Sequence, residues 1–171
     1  MGCYSEPELY HHIMMVNPLS MKEMAKYPKA NHKTLKTLIE LPLIGTTIYN
    51  MITSYRSIFK DYKNKILYPD MNIQKQVDTM YEASHLGGPS ARYLYASERS
   101  HFTNINILHA LKKLNHSICI IGGKDEKNIQ ETLEDYVYCN PSIETELMDN
   151  CMQYPHIEQP EAFSSLCSIY L

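Results

Sequence analysis

Two places in this 171-residue sequence hold residues that could exchange a proton across a short gap. Asp125 follows the apolar run Cys119-Ile120-Ile121 by way of Gly122-Gly123-Lys124. Gln153 and His156 lie in the turn Asn150-Cys151-Met152-Gln153-Tyr154-Pro155-His156, which comes after a second apolar run near 143–148. A carboxylate beside an imidazole orients the ring and stabilises its charged form, so that the ring can draw a proton from a hydroxyl nucleophile. Gln153 can hydrogen-bond in the place of an imidazole but cannot carry a proton near neutral pH. Plainer roles stand beside these. Asp125 can act as the N-cap of a helix beginning near Glu126, with Lys124 or Lys127 as its ion-pair partner. His156, just after Pro155, can pack or hydrogen-bond locally, and His85, close before Gly87-Gly88, can simply end a helix. His11, His12, His101 and His109 have no ligand spacing, so neither a metal nor a cofactor is expected.

Three strands would have to position these groups. The run at 117–121, stopped by two glycines, reads as a parallel strand buried on both faces. A second strand spans 143–148, and a third, 12–17, is stopped by the turn signal Asn17-Pro18. Parallel sheets carry their functional groups at the carboxyl ends of the strands, so the acid and the 150–156 turn fall on one rim. Between 20 and 98 the strand pattern gives way to helical spacing. Leu35, Leu38, Ile39 and Leu41 share one face, as do Ile44, Ile48, Met51, Ile52 and Tyr55. Gly45 weakens the start of that second helix. Ile58, Phe59 and Tyr62 form a further turn, and Asn72 is placed to cap a helix bearing Val77, Met80 and Tyr81. Gly87-Gly88-Pro89 breaks the chain before a short helix at 91–96. Helices are also expected at 104–114, at 128–138 and from 159 or 160 to the end, and residues 6–10 read as the tail of another.

The sequence from Gly122-Gly123-Lys124-Asp125 through Pro155-His156-Ile157-Glu158-Gln159-Pro160-Glu161-Ala162-Phe163 resembles the closing segments of the α/β-hydrolases. In that family nucleophile, acid and histidine succeed one another in chain order. The resemblance implies an α/β fold, with a partial parallel sheet of about three strands and an inserted all-helical lid. The implied domains are a remnant helix end and strand at 1–19, the lid at 20–98, and the C-terminal part of the core at 99–171. Asp125 becomes the triad acid. The family's Gly-His-x-Pro is matched by Met152-Gln153-Tyr154-Pro155, which puts Gln153 at the base position and makes His156 a displaced base. The nucleophile should sit on a G-x-S-x-G turn, and this sequence has none. Gly88-Pro89-Ser90-Ala91-Arg92 lacks the second glycine and lies between two helices. The expectation is therefore a truncated form whose elbow and first five strands lay upstream, inactive alone, from a parent that hydrolyses a small ester or similar bond on a small-molecule substrate. The alternative is a non-catalytic binding or interaction module of the same origin. Either way, the strand at 12–17 would leave an edge open to self-association.

Composition narrows the remaining classes. A net charge of −3 gives no basic footprint for nucleic acid. Five cysteines without a C-x-x-C pair argue against a disulfide framework or zinc site and for a reducing compartment. No apolar run is long enough to span a membrane. Glu6 and Glu8 interrupt any signal peptide, and Glu6 also breaks the myristoylation pattern after Met1-Gly2. The expected location is the cytoplasm.

Overall fold

The computed structural model, which describes residues 2–170, combines helices with a three-stranded sheet. Helix α1 (Gly2–Ser5) and a 3-10 turn (Pro7–Leu9) precede β1 (His12–Val16). Six helices come next: α2 (Met21–Met24), α3 (Ala30–Glu40), α4 (Ile44–Ile52), α5 (Tyr55–Asn64), α6 (Gln74–His85) and α7 (Ala91–Arg99). The chain continues with α8 (Leu108–Lys113), β2 (Ser117–Gly123), α9 (Ile129–Cys139), β3 (Ile143–Met148), α10 (Pro155–Glu158) and α11 (Pro160–Tyr170). The strand order is β1-β2-β3 and both pairings are parallel, with His12 opposite Ser117 and Ile118 opposite Ile143. The partial parallel sheet expected from the sequence is the one that forms.

The central strand explains the core. Side chains alternate between the faces of a strand, so Ile118 and Ile120 pack with Leu111, Ile129, Leu133, Tyr136 and Ile143 on one side. Cys119 and Ile121 pack with Met148 and Cys151 on the other, against Met14, Phe163 and Leu166. Burial on both faces is what selects an unbroken apolar run here in place of an alternating one. Asn140 fastens the α9–β3 corner by donating from Nδ2 to the carbonyls of Leu111 (2.8 Å) and Leu114 (3.0 Å).

The chain divides into two compact units. The first holds the sheet: the chain up to Met24, the segment Lys65–Pro69, and everything from Asn106 on. The second, Ala25–Asn64 with Asp70–Ile105, is helical. Its interior is built on Ile39, Tyr49, Ile58, Ile73, Val77 and Ala96. Arg92, also buried, donates to the carbonyl oxygens of Pro89 and Glu40, which closes the C-terminal end of α3.

Three local expectations are corrected. Helix α4 buries Gly45 and Tyr49, while Ile44, Met51 and Ile52 stay exposed. The reason is Gly45 itself: a Cβ there would lie 1.8 Å from the Ile39 carbonyl oxygen, so this close crossing fixes which face turns inward. Helix α8 begins at Leu108, not near Asn104, because the Asn106 side chain takes up the Leu108 N–H at 3.0 Å. In place of a helix tail at 6–10 there are the four-residue α1 and the 3-10 turn.

Candidate functional site

Strands β2 and β3 run parallel and end at Gly123 and Met148, so the turns leaving them lie on one edge of the sheet. Backbone hydrogen bonds tie the two exits together. The Lys124 N–H donates to Met148 O at 2.9 Å, and the Asp125 N–H donates to Cys151 O at 3.1 Å. The turn after β3 crosses directly over the end of β2. A Cβ on Gly123 would stand 2.0 Å from Met152 O, so this crossing requires glycine.

Asn17, the residue that ends β1, holds the crossing from the other side. Its φ of 41° is left-handed, a conformation asparagine tolerates better than most residues. Its Oδ1 accepts the Gly123 N–H at 3.0 Å, and its Nδ2 donates to Met152 O (2.8 Å) and Gln153 O (2.9 Å). The Gln153 N–H in turn donates to Lys65 O at 3.1 Å. Glu158 completes the arrangement. Its carboxylate is buried and accepts the N–H groups of Met152 (2.8 Å), Tyr154 (3.4 Å) and Leu67 (2.7 Å).

The structure therefore places Asp125 and Gln153 on one rim, joined through the backbone. Asp125 is not the N-cap of the next helix. Helix α9 starts only at Ile129, behind a left-handed Asn128 (φ 60°), and residues 124–128 form a turn. The Asp125 carboxylate makes no hydrogen bond among the described residues, while Lys124 pairs with Asp149 instead. His156 lies at the surface in α10, its ring flanked by Tyr154 (6.1 Å between centroids) and Phe163 (5.8 Å). The desolvation these rings impose lowers its pKa below the ordinary histidine value. An NMR titration should accordingly find His156 protonating later than a free histidine as pH falls. Because the folded pKa is the lower one, whatever stability this contributes is present above the ordinary histidine range and is lost as pH falls through the folded value.

Other groups of reactive type are held in unreactive settings. Burial pushes the Cys151 and Cys119 thiols up to about 11, which favours the protonated thiol at neutral pH over the reactive thiolate. Burial likewise raises the Glu126 carboxyl, with Glu158 nearby adding to the effect. His85 is held inside its own helix: Nδ1 lies 2.7 Å from Tyr81 O and the ring stacks on Tyr81. The Ser90 hydroxyl donates to Gly87 O at 2.6 Å within a 3-10 turn, not on a strand-to-helix elbow. Among the described residues no group of three or more His, Cys, Asp or Glu could hold a metal ion. No helix there is long and apolar enough to cross a membrane.

No family model matches the sequence, and no curated protein matches it. Solved structures do. The chain superposes with a TM-score of 0.69 on a serine hydrolase involved in carbazole degradation, at 12% identity over 99% of this chain and 57% of that one. A probable hydrolytic enzyme from Pseudomonas aeruginosa PAO1 gives 0.68 at 14% identity, over 99% and 58%. The 2-hydroxy-6-oxo-6-phenylhexa-2,4-dienoate hydrolase of Rhodococcus sp. strain RHA1 gives 0.65 at 11%, over 98% and 57%. The fold is that of the α/β-hydrolases, in part. This chain spans little more than half the length of these three structures.

Sequence reasoning missed three parts of this rim: Asn17, Glu158 and the Lys65–Leu67 segment. The first two had a signal, since Asn17 precedes a proline at a strand end and Glu158 sits in the Pro-x-x-Glu-x-Pro run. Nothing in the sequence ties 65–67 to a turn almost ninety positions later.

Proposed function

We propose that this chain is the lid and C-terminal core of an α/β-hydrolase whose complete parent cleaves a small ester or similar bond, and that the chain is inactive alone. The observation that carries the reading is the rim itself, with Asp125 and the Gln153 turn joined by the Asp125 N–H to Cys151 O bond at the carboxyl ends of adjacent parallel strands. In this reading Asp125 descends from the triad acid and Gln153 occupies the base position, with the helical unit acting as lid. The nucleophile belongs to a part of the fold outside these 171 residues, since the sequence holds no G-x-S-x-G. Without that serine and its oxyanion donors, the acid has nothing to activate. His156, three residues past the base position and flanked by rings, packs locally. The substrate of the parent is a small molecule. The five free cysteines support a reducing, cytoplasmic location.

The second reading, a non-catalytic interaction module derived from the fold, is favoured by Gln153, which cannot shuttle a proton where a histidine would. One assay separates the two from an active enzyme. The purified chain should hydrolyse p-nitrophenyl acetate and butyrate no faster than a matched unfolded control, since loss of a triad member typically lowers turnover by about 10⁴-fold or more. Robust turnover abolished by Asp125→Asn or His156→Ala would contradict both readings.

A further inference from the structure

Glu158 is one of the few buried charged groups among the described residues. It holds two separate pieces of chain, one with each oxygen. Oε1 accepts from Met152 (2.8 Å) and Tyr154 (3.4 Å), the residues on either side of Gln153. Oε2 accepts from Leu67 at 2.7 Å, in the segment Lys65–Pro69. That segment joins the two stretches of the helical unit in sequence, running from Asn64 to Asp70, yet it belongs to the sheet unit. Ile66 is buried within it, and Lys65 O accepts the Gln153 N–H at 3.1 Å. All three partners of the carboxylate are N–H donors, so only a group that accepts on both oxygens satisfies the site.

We infer that Glu158 is a positioning residue: a two-sided latch that fastens the 65–69 strap to the turn bearing Gln153. The strap and the turn are then held together through the Leu67–Glu158 and Gln153–Lys65 bonds. The latch stands on this geometry. Its meaning, that it sets the base position, rests on the proposed function.

Amide hydrogen exchange on the full chain tests it. Glu158→Gln keeps the shape of the side chain but has one accepting oxygen; the second position becomes an NH₂ that faces another donor. The turn side, with two donors, retains the oxygen, and the strap side loses its acceptor. The amides of Leu67 and Gln153 should then exchange together, faster by about tenfold or more, as loss of a hydrogen bond to a charged group implies. Met152, Ile120 and Ile121 should keep their protection. The coupling is the point, because the Gln153 N–H does not touch Glu158. If Gln153 keeps its protection while Leu67 loses it, or if neither changes, Glu158 is a local staple and the latch is wrong. Should Glu158→Gln also loosen Ile120 and Ile121, Leu67→Pro removes the strap's N–H while leaving the Glu158 carboxylate in place. Gln153 should then exchange faster with Met152 and Tyr154 still held, and continued protection of Gln153 would overturn the proposal. Neither result depends on catalysis: a hydrolytically active chain would refute the proposed function and leave the latch standing.

Discussion

Gly123→Ala should destabilise the sheet unit by roughly 3 kcal/mol or more, at the upper end of what overpacking does. The added Cβ would stand 2.0 Å from Met152 O and 2.7 Å from Cys151 O. Neither oxygen is free to retreat, since Met152 O is held by Asn17 Nδ2 and Cys151 O by the Asp125 N–H. Relieving the clash means breaking the crossing that brings the two halves of the rim together. Gly122→Ala is the internal control. Its Cβ would meet Ile129 Cγ1 at 2.7 Å and Leu147 Cδ2 at 3.1 Å, side-chain atoms that can shift where a tethered backbone oxygen cannot. About 1 kcal/mol is expected there. In the helical unit Gly45→Ala meets a backbone oxygen, Ile39 O, at 1.8 Å, and its effect should match that of Gly123→Ala. Denaturant midpoints of the three variants, with exchange at Asp125 as the local readout, check the ranking. A loss for Gly123→Ala no larger than the roughly 1 kcal/mol expected of Gly122→Ala would show that the crossing does not require glycine.

The second large effect is self-association through β1, a proposal that the sheet edges make specific. The two outer strands are not alike. β3 carries Glu144 and Glu146, charges of the kind that discourage edge pairing, and Tyr170 donates to Glu146 at 2.8 Å. β1, His12–Val16, carries no carboxylate, lysine or arginine and is only half-buried. The Asn17 N–H reaches Ile121 O across the β1–β2 ladder at 3.0 Å. By the two-residue alternation of strands, Met15 and Ile13 also face β2, and Met14 and Val16 aim their N–H and C=O groups at the open side. We expect the isolated chain to associate at micromolar concentration, as species with unpaired apolar edges do. Val16→Pro should reverse this, because it deletes an outward N–H and leaves the β1–β2 bonds intact. Sedimentation velocity on both proteins decides. A wild-type chain that runs as a monomer with one cooperative thermal transition would show that the β1 edge does not drive association.

The strands are legible in the sequence because each is a short apolar run with a stop: Gly122-Gly123 after β2, Asn17-Pro18 after β1. The rim is half legible. Strand polarity alone puts Asp125 and the 150–156 turn on one edge, whereas the bonds that fix them come from groups with no periodic signature. Asn17 acts through an αL backbone, and Glu158 through three donors, one of them far away in sequence. The helical faces are the least legible. Apolar spacing in α4 points to Ile44 and Met51, but a backbone approach at Gly45 turns the helix to bury Tyr49, and only tertiary contact reveals that. Asp125 resembles a helix cap only if the helix starts at once; the left-handed Asn128 delays it to Ile129.

On the proposed reading, the chain carries the acid and base-position half of an α/β-hydrolase rim without a nucleophile. Labelling of the purified, folded chain with a fluorophosphonate, followed by mass-spectrometric mapping, tests it most directly. No serine should be modified above the level of the heat-denatured protein, Ser90 included. Stoichiometric modification of one serine, lost in Asp125→Asn, would contradict it and place a working nucleophile within these 171 residues.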